Sequence, residues 1–215
     1  PFAVVDDAIP APLAGAKGPI GHVQSVLTDR AGRTWAGTYG DGLFLLADSG
    51  MRMFLHSRQG GGNVIALFED SRGRIWASDG LSATVFDGSE FRLYGEEQTP
   101  ACQDVCCFAE DMHGTIWVSN LSGVFRLIEG RFSEVTGPDG NPIPDIVCIR
   151  TEADGSVWMG SRSAGLLRWR PDRLDRVDMD TGFPVRSVTG IMEDDRGFWW
   201  VASNAGVVRA KRRDL

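Results

Sequence analysis

Histidine and cysteine are scarce in this 215-residue chain, three of the first and four of the second. His22, His56 and His113 fall at a loop, in a strand and in a turn at the opposite end, so the spacing keeps them apart. No GxSxG, HExxH, phosphate-binding loop or Cys/His pairing is present, which removes the commonest motif-borne hydrolases and metalloenzymes. Cys102, Cys106, Cys107 and Cys148 include a CxxxCC run without the paired CxxC or histidine spacing of a structural zinc site. No metal or cofactor is expected. Positive charge is also short: the formal net charge is -7 and the pI about 5.0, which argues against nucleic acid or an anionic membrane surface as partner. No apolar run approaches the roughly 18–20 residues that span a bilayer, and helical periodicity is missing throughout. Neither an initiator methionine nor a leader opens the chain, which reads as a processed or excised piece.

What is abundant is glycine, at 27 residues, and tryptophan, at seven. Five tryptophans stand at Trp35, Trp76, Trp117, Trp158 and Trp200, in steps of 41, 41, 41 and 42 residues. A period of about 40 residues indicates a propeller or solenoid. Each copy carries an acid six places before the tryptophan (Asp29, Asp70, Asp111, Glu152, Asp194) and a glycine three before it (Gly32, Gly73, Gly114, Gly155, Gly197). An acidic side chain accepting backbone N–H groups, followed by a glycine that takes positive φ, closes a tight turn between antiparallel strands. These acids read as turn chemistry rather than metal ligands, because a calcium site needs several oxygens at one loop. The strand after the turn holds the tryptophan, which can bury roughly 200 Å2 against the next copy.

Ahead of the turn, apolar residues at minus twelve and minus nine (Val23 and Val26, Val64 and Leu67, Val105 and Phe108, Ile146 and Ile149, Val188 and Ile191) predict a strand buried on both faces. The place at minus ten is small: Ser25, Ala66, Cys107, Cys148 and Gly190. Cysteine fits there as a compact hydrophobe. A third strand begins at glycine (GLFLLAD, GVFRLIE, GLLRWRP, GVVRAKR), with Ala83 in its place in the second copy. A fourth strand is spaced Phe91/Tyr94, Phe132/Val135 and Leu174/Val177. Four short antiparallel strands per copy make an all-β propeller of five blades, one domain over residues 1–215. The last copy stops before its fourth strand, while residues 1–7, with Phe2 and Val5, have that strand's spacing. Either they complete the last blade and close five blades, or they finish a blade upstream and the chain is an arc of a larger propeller.

The stretches VIALFEDSRGRIWAS, VCCFAEDMHGTIWVSN and VTGIMEDDRGFWWVASNAGVVRA resemble the two-component regulator propeller repeat, over residues 19–215. The resemblance implies the extracytoplasmic, periplasmic sensor region of a bacterial histidine kinase or diguanylate cyclase. The resemblance further implies an unknown small-molecule or glycan ligand, no catalysis by this chain itself, and homodimerisation through the parent receptor as one arrangement open to it. Five copies are fewer than these sensors usually carry.

Function is expected where the copies differ, at the loops entering the first strand and leaving the second. The residue thirteen before each tryptophan is polar and different every time: His22, Asn63, Asp104, Asp145, Ser187. Tyr39, Asp41, Asp79, Asn120, Arg162 and Asn204 mark the second-strand exits. Together they form the expected ligand-binding face around the propeller axis. Two other classes stay open. A protein-interaction scaffold would use an exposed face or edge. A hydrolase or streptogramin-type lyase would use a carboxylate pair such as Asp104 and Asp145.

Overall fold

The structure is a computed structural model and describes residues 22–47, 50–55, 63–78, 83–94 and 105–215. In every described first hairpin the turn spacing sets the register. The residue before the acid pairs with the residue before the tryptophan: Thr28 with Thr34, Glu69 with Ile75, Glu110 with Ile116, Thr151 with Val157, Glu193 with Trp199. The turn glycine takes the left-handed φ that this register needs, +76° at Gly73 and +79° at Gly155.

The chain forms two compact units, Pro1–Val105 and Cys106–Leu215. In the first, β1 (Val23–Thr28), β2 (Thr34–Thr38), β3 (Leu43–Ala47) and β4 (Gly50–Leu55) make one antiparallel sheet in sequence order. A second sheet holds β5 (Leu67–Glu69), β6 (Ile75–Ser78), β7 (Ala83–Phe86) and β8 (Phe91–Tyr94). The other unit has two further four-stranded sheets. One contains β9 (Cys107–Glu110), β10 (Ile116–Ser119), β11 (Val124–Ile128) and β12 (Arg131–Val135), the other β13 (Ile146–Thr151), β14 (Val157–Ser161), β15 (Gly165–Arg170) and β16 (Arg173–Val177). It ends with β17 (Val188–Glu193), β18 (Phe198–Ser203) and β19 (Gly206–Lys211), a sheet of three described strands. The five sheets are the five blades of a β-propeller fold. The strand expected at residues 1–7 lies outside the described residues.

The repeat tryptophans join neighbouring sheets within each unit. Trp35 is fully buried against Val64, Ile75 and Phe86 of the second sheet. Trp117 meets Trp169 of the fourth sheet with ring centroids 5.3 Å apart, and Trp158 meets Trp199 of the fifth at 5.1 Å. Both pairs are edge-to-face, the arrangement that aromatic quadrupoles favour. In the fifth copy Trp199 stands where Ile75, Ile116 and Val157 stand in the others, as the buried residue before the repeat tryptophan. Trp199 and Val201 point toward the fourth sheet and are fully buried, so the alternation of a strand turns Trp200 to the other face, where it is 40% exposed. Val26 is likewise exposed, because Ser25 and Leu27 on either side of it are the residues facing the second sheet.

The small place at minus ten has a steric cause. It pairs across the hairpin with the residue two after the tryptophan, as Ser25 with Gly37, Cys148 with Gly160 and Gly190 with Ala202. A Cβ at Gly37 would stand 2.5 Å from the Val64 carbonyl oxygen of the adjacent sheet, and one at Gly160 would collide with Cys148 and Val188. Where the partner is Ser119, Cys107 sets its sulfur 3.0 Å from the hydroxyl. Burial pushes the Cys148 thiol up to about 12 and the Cys107 thiol upward as well. Both are packing groups rather than nucleophiles. Cys102 lies outside the described residues.

Candidate functional site

The ends of the sheets where β1 and β13 begin and β2 and β14 finish carry the residues expected to bind a ligand. Their backbone is stitched between neighbouring sheets. The Val64 N–H donates to the Thr38 carbonyl at 2.9 Å, the Asp145 N–H to Leu121 at 3.0 Å, and the Gly165 N–H to Arg186 at 2.6 Å. Each entering segment is thereby pinned to the loop region of a neighbouring sheet in its unit.

On this frame the predicted residues separate. His22 is exposed and its carbonyl accepts from the Tyr39 N–H at 2.8 Å, while Tyr39 itself is 61% exposed. Asn63 and Ser187 are half-buried just before Val64 and Val188; Asp41 and Asn204 are exposed. Asn120 is buried, and its Oδ1 accepts the Ser122 and Gly123 N–H groups at 2.8 and 2.9 Å, so it shapes its own loop. Asp104 and Asp79 lie outside the described residues, as does His56.

Asp145, Arg162 and Ser163 are joined by hydrogen bonds at this end of the second unit. Asp145 holds φ at +63°, a left-handed conformation rare for a residue with a side chain. Its N–H is bound to Leu121, its carbonyl accepts from the Arg162 N–H at 3.0 Å, and its Oδ2 accepts from the Ser163 hydroxyl at 2.8 Å. Backbone bonds on both sides hold the strained residue in place. The remaining Asp145 carboxylate oxygen is an acceptor suited to hydroxyl or amide groups, and Arg162, whose backbone N–H pairs with Asp145, is exposed. Among the described residues no group of three or more His, Cys, Asp and Glu is placed to hold a metal ion.

At the opposite end lie the five acid turns. In four of them one carboxylate oxygen accepts turn N–H groups and the other accepts the repeat tryptophan's indole N–H at 2.9 Å, from Trp35, Trp76, Trp117 and Trp200. Burial alone would push Asp29, Asp70 and Asp111 up, but the indole and backbone donors outweigh it and hold each below its ordinary value. Hydrogen bonds from the Trp200 indole and the Phe198 N–H hold Asp194 at about 2. The indole bond explains why acid and tryptophan recur together, a coupling that the turn rule alone does not supply.

The fourth turn is built differently. Glu152 turns its carboxylate to Arg150 at 3.0 Å and to Arg212 at 2.6 Å, and Arg150 also pairs with Glu193. Asp154 takes over the turn, accepting both the Ser156 N–H and its hydroxyl, which hold it at about 2 with help from Arg168 and Arg212. The Trp158 indole N–H is left buried without an acceptor, a state that costs about 1–3 kcal/mol.

No protein-family model and no curated protein matches the chain. Solved structures do match in fold. The extracellular domain assigned to a hybrid two component system of B. thetaiotaomicron superposes with a TM-score of 0.77 at 20% identity, over 92% of this chain and 28% of that one. The extracellular domain assigned to a one component system of the same organism gives 0.71 at 17% identity, over 99% of this chain and 28% of that one. A streptogramin B lyase gives 0.67 at 16% identity, over 91% of this chain and 70% of that one. The chain therefore spans 28% of the length of each of the two extracellular domains. These likenesses show the β-propeller fold, which the two extracellular domains and the lyase share with this chain.

Proposed function

We propose that the chain is the ligand-sensing propeller of a bacterial signalling receptor, placed outside the cytoplasm and without catalysis of its own. The observation that carries this reading is the match in fold, across 92% of the chain, to the extracellular domain of a two component system, joined to the repeat resemblance. The ligand is a small polyhydroxylated or amide-bearing molecule, with glycans as the leading class. It is held at the loop end of the second unit by Asp145 and Arg162, with Ser187 as a further polar group of that unit. The strained backbone of Asp145, pinned on both sides, supports a role in presenting its carboxylate.

The test is a thermal-shift screen of the 215-residue chain against soluble oligosaccharides. A binder present at a hundred times its dissociation constant should add about 2.7 kcal/mol of stability. That gain should disappear in Asp145→Ala, whose own Tm should stay close to that of the parent chain. A second reading rests on the likeness to the streptogramin B lyase. Lyase activity of the chain on a streptogramin B, with a divalent cation supplied, would replace the sensor reading with that one. Absence of any saturable shift across the screen would remove the glycan assignment.

A further inference from the structure

The break in the repeat at Glu152 borders a cleft of about 570 Å3 at the turn end of the fourth and fifth sheets. Trp158, Arg168, Arg196, Lys211, Arg212 and Arg213 line it, five cations with no acidic side chain among the lining residues. This concentration stands out in a chain whose net charge is -7. Asp154 balances Arg168 at 2.7 Å and Glu152 balances Arg212 at 2.6 Å, while Asp214 lies 3.6 Å from Arg213. Arg196 and Lys211 have no ion pair among the described residues, and Lys211 instead lies over the Phe198 ring at 5.6 Å. A size of this order is typical of small-molecule sites.

Two buried donors distinguish the cleft from a merely basic surface. The Trp158 residue is 2% exposed and its indole N–H has no acceptor; the Arg168 Nε–H is buried and has none either. Arg168 lies over the Trp158 ring at 5.1 Å, and Trp158 abuts Trp199, so both donors sit on an aromatic floor. In four other turns a carboxylate oxygen stands 2.9 Å from the equivalent indole nitrogen. The fourth turn withdraws its own carboxylate to the Arg212 guanidinium and leaves the Trp158 indole without the acceptor that its counterparts have.

We propose that this cleft is a binding site for a small polyanion, separate from the loop-end site and independent of the sensor reading. One carboxylate or phosphoryl oxygen stands toward the Trp158 indole and Arg168 Nε as the aspartate does in the other turns. A second anionic group is held by Arg196 and Lys211. Arginine supplies the paired donors that match either oxyanion.

The experiment is calorimetric titration of the 215-residue chain with citrate and, separately, with pyrophosphate, at constant ionic strength. Saturable binding of at least one probe is expected. Binding of citrate alone assigns a carboxylate ligand, and binding of pyrophosphate alone a phosphorylated one. Binding should vanish in Arg196→Glu/Lys211→Glu and weaken about tenfold in Trp158→Phe, which keeps the ring and removes the N–H. The Trp158→Phe variant removes an unsatisfied donor and shrinks a buried ring, two opposed effects on stability, and its Tm is measured to show that it stays folded. Asp145→Ala should bind both probes as the parent does, which separates this site from the loop-end reading. Failure of both probes to saturate, or binding that survives the double charge reversal, overturns the proposal.

Discussion

The turn that starts at Asp70 and the turn that starts at Glu152 differ by a single methylene in the acid, and their hydrogen bonding is rearranged throughout. At Asp70 one carboxylate serves the Arg72 and Arg74 N–H groups, the Arg74 side chain and the Trp76 indole. At Glu152 these duties divide. Asp154 serves the turn, Glu152 serves Arg150 and Arg212, and the indole of Trp158 goes without. A short acid six residues before the tryptophan reaches both the turn and the ring. The longer one reaches past them, to cations that arrive from other strands. Thus the same turn position closes a self-contained unit in one repeat and opens a cleft lined by distant residues in another.

Three experiments probe that difference, in descending order of effect. Trp117→Ala empties a buried aromatic site between two sheets, and urea denaturation should show a loss of about 3–5 kcal/mol. A loss below this range would mean that the neighbouring sheets close over the gap.

Next, Asp70→Ala strands the Trp76 indole and two turn N–H groups, at about 1–3 kcal/mol. Glu152→Asp should do the reverse, giving Trp158 an acceptor and adding up to about 1 kcal/mol. The Trp158 indole proton should then exchange more slowly with solvent, as read by NMR. If Glu152→Asp instead destabilises the chain as strongly as Asp70→Ala does, the two turns are not alternatives and the contrast fails.

The smallest effect is on pH dependence. Asp154 and Asp194 are held at about 2, against an ordinary value of 3.8. A carboxyl lowered by folding contributes stability that is fully present above its unfolded value and is lost as pH falls through the folded one. The Tm should therefore hold steady down to about pH 4 and fall between about pH 4 and 2. Asp194→Asn should flatten part of that fall. A Tm that declines already between about pH 7 and 5 would point to other groups.

Much of the fold was legible because it is local. The acid, glycine and tryptophan lie within six residues of one another, so chain geometry alone fixes which of them can meet, and the hairpin register follows. The small place at minus ten was visible as a run of Ser, Ala, Cys and Gly, although its cause, the close approach of Gly37 to Val64, lies in the next sheet. The loop-end residues were legible as polar and variable, but not in their duties. Asn120 looked the same as Arg162 on paper, yet it is buried and committed to its own loop. The indole bond of the acid turn also escaped, because a turn rule counts backbone donors only.

By itself, the sequence determined a five-fold β repeat, the positions of its turns and strands, and the absence of the usual catalytic motifs, all properties of neighbours within a few places along the chain. Tertiary structure alone decided that Asn120 is buried and spent on its own loop, that Glu152 leaves its indole for Arg212, and that Arg168, Arg196 and Arg213 share one cleft. Those outcomes depend on how sheets pack face to face. At that range, one methylene in an acid redirects a side chain from one neighbour to another.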